Sequence, residues 1–304
     1  MDKNYDFMEK KDIKPDKHSL NITIGIITMG RCESLKRCLD SISSNVKILL
    51  QNRVTISVII VEDISDIGFC DIKEGDYTFP VVHIKNKTRV GVPNARNTIV
   101  QMATGKYVLF IDDDNLIKDD MILNLLNFAK NHDFGVIGPQ AYSPYNMKKT
   151  YSGMKRSKLL GRNIEVYSDE YFFEVDDVQN CFMFDLEFAR RNKIIFDPLF
   201  IHEIALFCLK FKKYGKKNYI LNTAITFHYN TEGHFTSKTF NIAWLARSKV
   251  WKDEGDLIPL MLSPVTALLY DFYYIAHYYD DLSLIKAIRA ILISYWSIIR
   301  ALFL

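Results

Sequence analysis

Residues 89–115, RVGVPNARNTIVQMATGKYVLFIDDDN, carry a helix, a strand and an acidic strand end in one continuous reading. Pro93 opens the helix, because a missing N–H costs nothing in a first turn. Ala95, Ile99, Met102 and Ala103 share one face of it, and Gly105 ends it. KYVLFI at 106–111 is then apolar without alternation, the pattern of a strand covered on both faces. That strand runs straight into Asp112, Asp113 and Asp114.

The same pattern extends in both directions. ITIGIIT at 22–28 is a second buried strand, followed by MGR and a helix with Cys32, Leu35, Leu39 and Ile42 at helical spacing. VTISVIIVED at 54–63 and FPVVHIKN at 79–86 add two more strands, and GVIGPQ at 135–140 adds a fifth. A helix rich in Met121, Ile122, Leu125, Leu126 and Phe128 lies before that last one. Strands alternating with helices predict an α/β fold, a Rossmann-like, doubly wound, mostly parallel sheet. Such sheets bind ligands beyond the carboxyl ends of their strands. The polar groups at those ends are Thr28 with Gly30 and Arg31, Glu62 with Asp63, and Asp112 to Asp114.

Three adjacent carboxylates repel one another unless a cation sits among them. Mg²⁺ often takes one or two carboxylates and completes its shell with substrate phosphates. The competing reading is an acidic cap on the next helix. A nicotinamide-binding sheet is excluded: TMGRCE follows the first strand, where G-x-G-x-x-G would be needed.

Composition bounds the rest. The 304 residues are 48% hydrophobic and 25% charged with a net charge of +3, so the chain is globular and no nucleic-acid partner is expected. Five scattered cysteines with no C-x-x-C pair read as free thiols in a reducing cytoplasm. Residues 1–19 are charged, lack an apolar core and read as a flexible tail, not a signal peptide. KKTYSGMKRSKLLGR at 148–162 has six basic residues and no acid, which fits a solvated loop or a loop that meets phosphates. NCFMFDLEFARRN at 180–192 reads as a strand leading into a short helix, and 196–215 ends in a helix with Ile204, Phe207, Cys208 and Phe211 inside. After 255 the chain is apolar but broken by Pro259, Pro264 and Asp271, and Lys286, Arg289 and Arg300 interrupt its end. These are apolar helices suited to a membrane interface rather than a span, or to packing on the catalytic domain or a second subunit.

ITIGIITMGRCESLKRCLDSI, VIIVEDISD, VGVPNARN and YVLFIDDDN resemble, in this order, the donor half of glycosyltransferase family 2. DDVQNCFMFDLEFARRNKIIFDPLF at 176–200 resembles its acceptor half. The resemblance covers roughly residues 20–250. It implies the GT-A fold over 20–254, with a donor half of about 20–135 and an acceptor half of about 136–254. It also implies inverting sugar transfer from a nucleoside diphosphate sugar, with Mg²⁺ or Mn²⁺. Carried over by position, Thr28, Gly30 and Arg31 line the nucleotide pocket. Glu62 and Asp63 meet base and ribose, and Arg96 holds a helix near the donor or, equally, pairs with the acidic cluster. Asp112 and Asp114 form the D-x-D pair on metal and donor, with Asp113 beside the donor between them. His228, after a late strand, is a further metal ligand. The family's Glu-Asp pair falls on Glu203 and Ile204, so the usual Asp is missing. Glu203 is then the general base and His202 the fallback. Asp177 and Asn180 fall on the acceptor wall.

The expected protein is a metal-dependent transferase on the cytoplasmic face of a membrane. It uses a nucleotide-sugar donor and a glycan or lipid-linked acceptor, through a hydroxyl or phosphate. The alternative is a subunit that binds nucleotide sugars without turning them over.

Overall fold

The computed structural model describes residues 20–229 except 67, 74, 151–152, 157–162, 179–180, 199–202, together with Lys252, Leu292, Trp296 and Ile299. The expected tail at 1–19, Asn180, His202 and nearly all of 230–304 lie outside the described residues.

The chain begins β1 (Leu20–Thr28), α1 (Cys32–Gln51), β2 (Val54–Asp63), β3 (Val81–Asn86), α2 (Val92–Met102), β4 (Tyr107–Phe110). It continues β5 (Asn115–Ile117), α3 (Met121–Asn131), β6 (Val136–Tyr142), β7 (Gly153–Arg156), β8 (Asn163–Glu165), β9 (Phe172–Val175), β10 (Asp177–Val178). The described part closes with β11 (Phe182–Asp185), α4 (Leu186–Arg191), α5 (Glu203–Lys213) and β12 (Asn218–His228).

The main sheet runs β3-β2-β1-β4-β11-β6-β12-β5, with β9 also on β12. β3, β2, β1 and β4 are mutually parallel, as are β6 and β12. β11 runs against both neighbours and stitches the two parallel groups together. A small second sheet, β10-β7-β8, stands apart.

Each face of the main sheet has its own apolar layer. Ile22, Ile24 and Ile26 of β1 pack with Leu35, Leu39 and Ile42 of α1 and Leu125 of α3. On the other face Phe110, Phe182, Phe184, Phe196, Phe207 and Phe211 pack with Ile99 of α2. Coverage on both sides is why β1, β2 and β4 read as continuous apolar runs, while the edge strand β3 does not. Gly105 is needed where α2 returns to the sheet: a Cβ there would lie 2.5 Å from the Thr23 amide nitrogen.

Parallel pairing of β1, β2 and β4 brings their carboxyl ends to one edge. His228 pairs with Asn115 across β12 and β5, which brings it beside the acidic cluster.

The free-thiol expectation is corrected for two cysteines. Cys32 at the start of α1 and Cys70 in the β2–β3 connection form a disulfide across 38 residues. Their Cα atoms lie 5.2 Å apart, because the parallel β1–β2 pair delivers both connections to the same edge. Cys38, Cys181 and Cys208 are free and buried.

Candidate active site

The three aspartates after β4 have three different environments. Asp113 is fully buried, accepts from the Thr28 hydroxyl at 2.5 Å, and is gripped by the Arg31 guanidinium through Nε at 3.0 Å and through Nη2. Burial pushes its carboxyl up to about 6, against the opposing pull of Arg31 and Thr28. Thr28 and Asp113 therefore face each other, and their visible role is to hold Arg31, whose side chain stays 42% exposed. Asp112 turns to Arg96 at 3.3 Å. Asp114 lies 3.3 Å from Arg31 and 3.6 Å from His228 Nε2, and its backbone oxygen accepts from the Tyr229 amide.

The acids do not cap a helix. β5 intervenes, and α3 begins only at Met121. Burial works against a charged His228, but the Asp114 and Asp112 carboxylates outweigh it and hold the imidazole above its ordinary value. Carboxylate oxygens beside an imidazole are a donor set that suits Mg²⁺ or Mn²⁺. Asp112, Asp114 and His228 do not all converge: among the described residues, the one trio of ligand atoms within 4.8 Å of one another is Cys32, Glu62 and Cys70. The fit is therefore to a cation held by few protein groups and completed by phosphate oxygens, with Asp114 and His228 as the close pair.

At the end of β2, Glu62 and Asp63 diverge. Asp63 accepts from the amides of Val90 and Gly91 at 3.1 and 3.0 Å and from the Asn86 side chain. It shapes the turn into α2, where Gly91 has φ of 80°. Glu62 is fully buried and accepts from the amides of Gly30 at 3.3 Å and Cys70 at 3.0 Å, while His83 Nε2 lies 2.8 Å away.

α2 carries Arg96 to the centre of the molecule. Only 3% exposed, it is packed against the rings of Phe110, Phe182 and Phe196 and pairs with Glu203 at the start of α5 as well as with Asp112. Asn97, the next residue, exchanges two 2.8 Å hydrogen bonds with the Phe196 backbone and ties α2 to the segment before α5. Burial raises the Glu203 carboxyl, opposed by Arg96. Arg96 thus pairs with the acid cluster, one of its two expected roles, and bridges it to Glu203 of α5, a link that spacing along the chain does not reveal.

Of the two residues expected on an acceptor wall, Asp177 is described, and it is buried. Asp177 is 2% exposed in β10, paired in register with Met154. Its neighbour Asp176 accepts from the Arg156 amide and pairs with Lys212 of α5. Burial opposes this charge, yet the Arg156 amide and Lys212 outweigh it and lower the Asp176 carboxyl. A depressed carboxyl stabilises above its unfolded value and loses that contribution as pH falls through the folded one. The melting-temperature gap between wild type and Asp176→Asn is therefore expected to hold near pH 6 and to narrow as pH falls below about 4. A constant gap contradicts the pairing.

Comparison with known proteins adds the following. The family model for glycosyl transferase family 2 matches residues 23–193. The SPbeta prophage-derived glycosyltransferase SunS of Bacillus subtilis (strain 168) is 31% identical over 152 residues, 48% of this chain and 33% of that protein. The uncharacterized glycosyltransferase YibD of Escherichia coli (strain K12) is 27% identical over 120 residues, 39% of this chain and 33% of that protein. This chain thus spans about one third of the length of these curated relatives. S. aureus TarS 1–349, solved with UDP-GlcNAc, superposes with a TM-score of 0.59 at 13% identity, over 93% of this chain and 81% of that one. GalNAc-T7, solved with UDP, GalNAc and Mn²⁺, gives 0.60 at 16%, over 90% and 55%. At these identities the likeness speaks to fold, and the fold is GT-A.

Proposed function

The chain belongs to glycosyl transferase family 2, and we propose that it transfers a sugar from a nucleoside diphosphate sugar to an acceptor hydroxyl or phosphate, with inversion and with Mg²⁺ or Mn²⁺. The observation that carries the reading is the edge where β1, β2, β4 and β12 deliver Arg31, Glu62, Asp114 and His228 together. The solved relatives hold UDP-GlcNAc in one case and UDP, GalNAc and Mn²⁺ in the other, which supports the same ligand classes here.

In this reading Asp114 and His228 would hold the cation, while Asp112 stays paired with Arg96. When bound, such a cation would supply positive charge that offsets the leaving diphosphate. Arg31, fixed by Asp113, presents its exposed face to the donor. The acceptor oxygen attacks the anomeric carbon, the carbon–oxygen bond to the diphosphate breaks, and the acceptor proton passes to Glu203. A single displacement inverts the centre. Burial raises the Glu203 carboxyl and so favours its taking a proton.

One observation favours a second reading. Glu203 is engaged by Arg96, and Ile204 stands where the family has Asp, as a donor-binding subunit without turnover would allow. The two readings separate in one experiment. Nucleotides and nucleotide sugars of the uridine, guanosine, cytidine and thymidine series are screened by thermal shift with and without Mn²⁺, because a ligand of the native state raises the melting temperature. Transfer is then measured for wild type and Glu203→Gln across an acceptor panel. The transferase reading expects a metal-dependent shift in both proteins and transfer in wild type alone. Transfer retained in Glu203→Gln removes Glu203 as base. A shift with no transfer by either protein favours the binding subunit.

A lipid-linked acceptor is supported by the C-terminal segment. Leu292, Trp296 and Ile299 are helical and 64%, 65% and 46% exposed, at i, i+4 and i+7. An apolar stripe on a segment carrying Lys286, Arg289 and Arg300 suits an anionic membrane surface. No helix among the described residues is long and apolar enough to cross a membrane. Cosedimentation with anionic vesicles, lost when 255–304 are removed, is the expected result. Unchanged sedimentation of the truncated protein refutes it.

A further inference from the structure

The Cys32–Cys70 disulfide lies at the nucleotide end of the site and has no part in the transfer chemistry. Cys32 is the first residue of α1, next to Arg31. Cys70 is 1% exposed, and its amide donates to both carboxylate oxygens of Glu62, at 3.0 and 3.1 Å. The bond therefore pins the chain after β2 to the start of α1, directly over Glu62. In this closed arrangement Glu62 is fully buried and already engaged by Gly30, Cys70 and His83. A carboxylate at the end of β2 can recognise a base N–H only if it can be reached, and here the Cys70 segment covers it.

We propose that Cys32 and Cys70 form a thiol–disulfide switch that governs access of the donor's base to Glu62. Oxidised, the pair holds the segment 68–72 down and keeps Glu62 covered. Reduced, that segment lifts and Glu62 becomes available. The inference rests on the nucleotide-sugar reading for its ligand, but not for its moving part.

The chemistry is exchange with a small-molecule disulfide such as glutathione disulfide. The Cys32 thiolate attacks one sulfur of that disulfide and releases one thiolate. The Cys70 thiolate then attacks Cys32 Sγ and releases the second. Two electrons and two protons leave the protein, and two small thiols form. A small dithiol reverses the sequence. Cys32 is the point of entry, because it is only partly buried while Cys70 is 1% exposed. Burial pushes the thiols of Cys38, Cys181 and Cys208 up, which keeps them out of the exchange.

The test uses the full chain, oxidised with glutathione disulfide or reduced with dithiothreitol. Peptide mapping is expected to find the Cys32–Cys70 link in the first sample, and both residues alkylatable in the second. Hydrogen exchange across 68–72 is expected to quicken at least tenfold on reduction. Calorimetric titration with the nucleoside diphosphates and Mn²⁺ is expected to give a dissociation constant at least tenfold lower for the reduced protein. Cys70→Ser and Cys32→Ser should each match the reduced protein under both conditions. Equal nucleotide affinity in the two states overturns the switch. So does failure of the pair to oxidise, or retention of one equivalent of Zn²⁺ by the reduced protein, since Glu62 and the two thiolates would then be a metal site. If no nucleotide binds either form, the nucleotide reading fails separately. The switch is then judged by hydrogen exchange, and unchanged protection of 68–72 overturns it.

Discussion

Replacing Arg96 with methionine is expected to lower the melting temperature by about 6–20 °C, from roughly 3–5 kcal/mol of lost stability at about 2–4 °C per kcal/mol for a domain of this size. The change removes the guanidinium that pairs with Glu203 and Asp112. Glu203 is 6% exposed, so its carboxylate is left buried without a counter-charge. Natural domains hold only about 5–15 kcal/mol in all, so this is a large share. The rings of Phe110, Phe182 and Phe196 accept a methionine side chain, which separates loss of charge from loss of packing. The double variant Arg96→Met/Glu203→Met tests the cause. With both charges gone, most of the lost stability is expected to return, because an apolar pair of similar volume can replace a buried ion pair. Transfer should not return with it. A single variant that melts within 2 °C of wild type would show that this pair is solvated and that α5 is positioned by something else.

Arg96 also shows where reading the chain stops. Its place in PNARN marks a helix near a donor, and the α2 pattern is plain because Pro93, Ala95 and Ile99 sit where a helix needs them. That it would bridge Asp112 to Glu203, which lies 107 residues beyond Arg96, depends on β11 inserting antiparallel between β4 and β6. β11 is four residues long, and nothing in FMFD states its direction. β1, β2 and β4 were legible because burial on both faces leaves runs such as ITIGIIT without alternation, whereas β3, at the sheet edge, exposes Val82 and reads through its β-branched residues. β5 was not legible: three residues cannot show a period, so the acids before it looked equally like a helix cap. The small β10-β7-β8 sheet was missed for the same reason.

The site divides along similar lines. Strand ends located Thr28, Arg31, Glu62, Asp63 and the aspartates, because α/β sheets gather such residues at one edge. Which of them face outward did not follow. Thr28, Glu62, Asp63 and Asp113 are buried in internal contacts, while Arg31, paired with Asp113 and Asp114, keeps 42% of its side chain exposed. His83 was passed over, although parallel pairing of Ile60 with His83 places it on the Glu62 side of the sheet, where strand alternation offered a signal. The disulfide had no such signal, since five cysteines spaced irregularly allow many pairings.

Asp114→Asn is expected to weaken metal-dependent nucleotide binding by at least about 10–100-fold, the loss typical when even an outer partner of a metal ligand is removed. Asparagine keeps the shape of the side chain, and the Asp114 backbone oxygen still accepts from Tyr229, so the β5–β12 edge should hold. What changes is charge. The carboxylate that suits a hard cation becomes a neutral amide, and His228 loses the anion that raises its pKa. Nucleotide binding without metal should be unchanged, because Arg31 remains anchored by Asp113. The measurement is a pair of titrations with one nucleotide, with and without Mn²⁺, for each protein. Loss of only the Mn²⁺-dependent increment assigns the cation to Asp114. Equal loss in both titrations would mean that Asp114 acts by holding Arg31, 3.3 Å away, rather than by binding metal. An increment that survives intact would move the cation away from this edge and remove the D-x-D reading altogether.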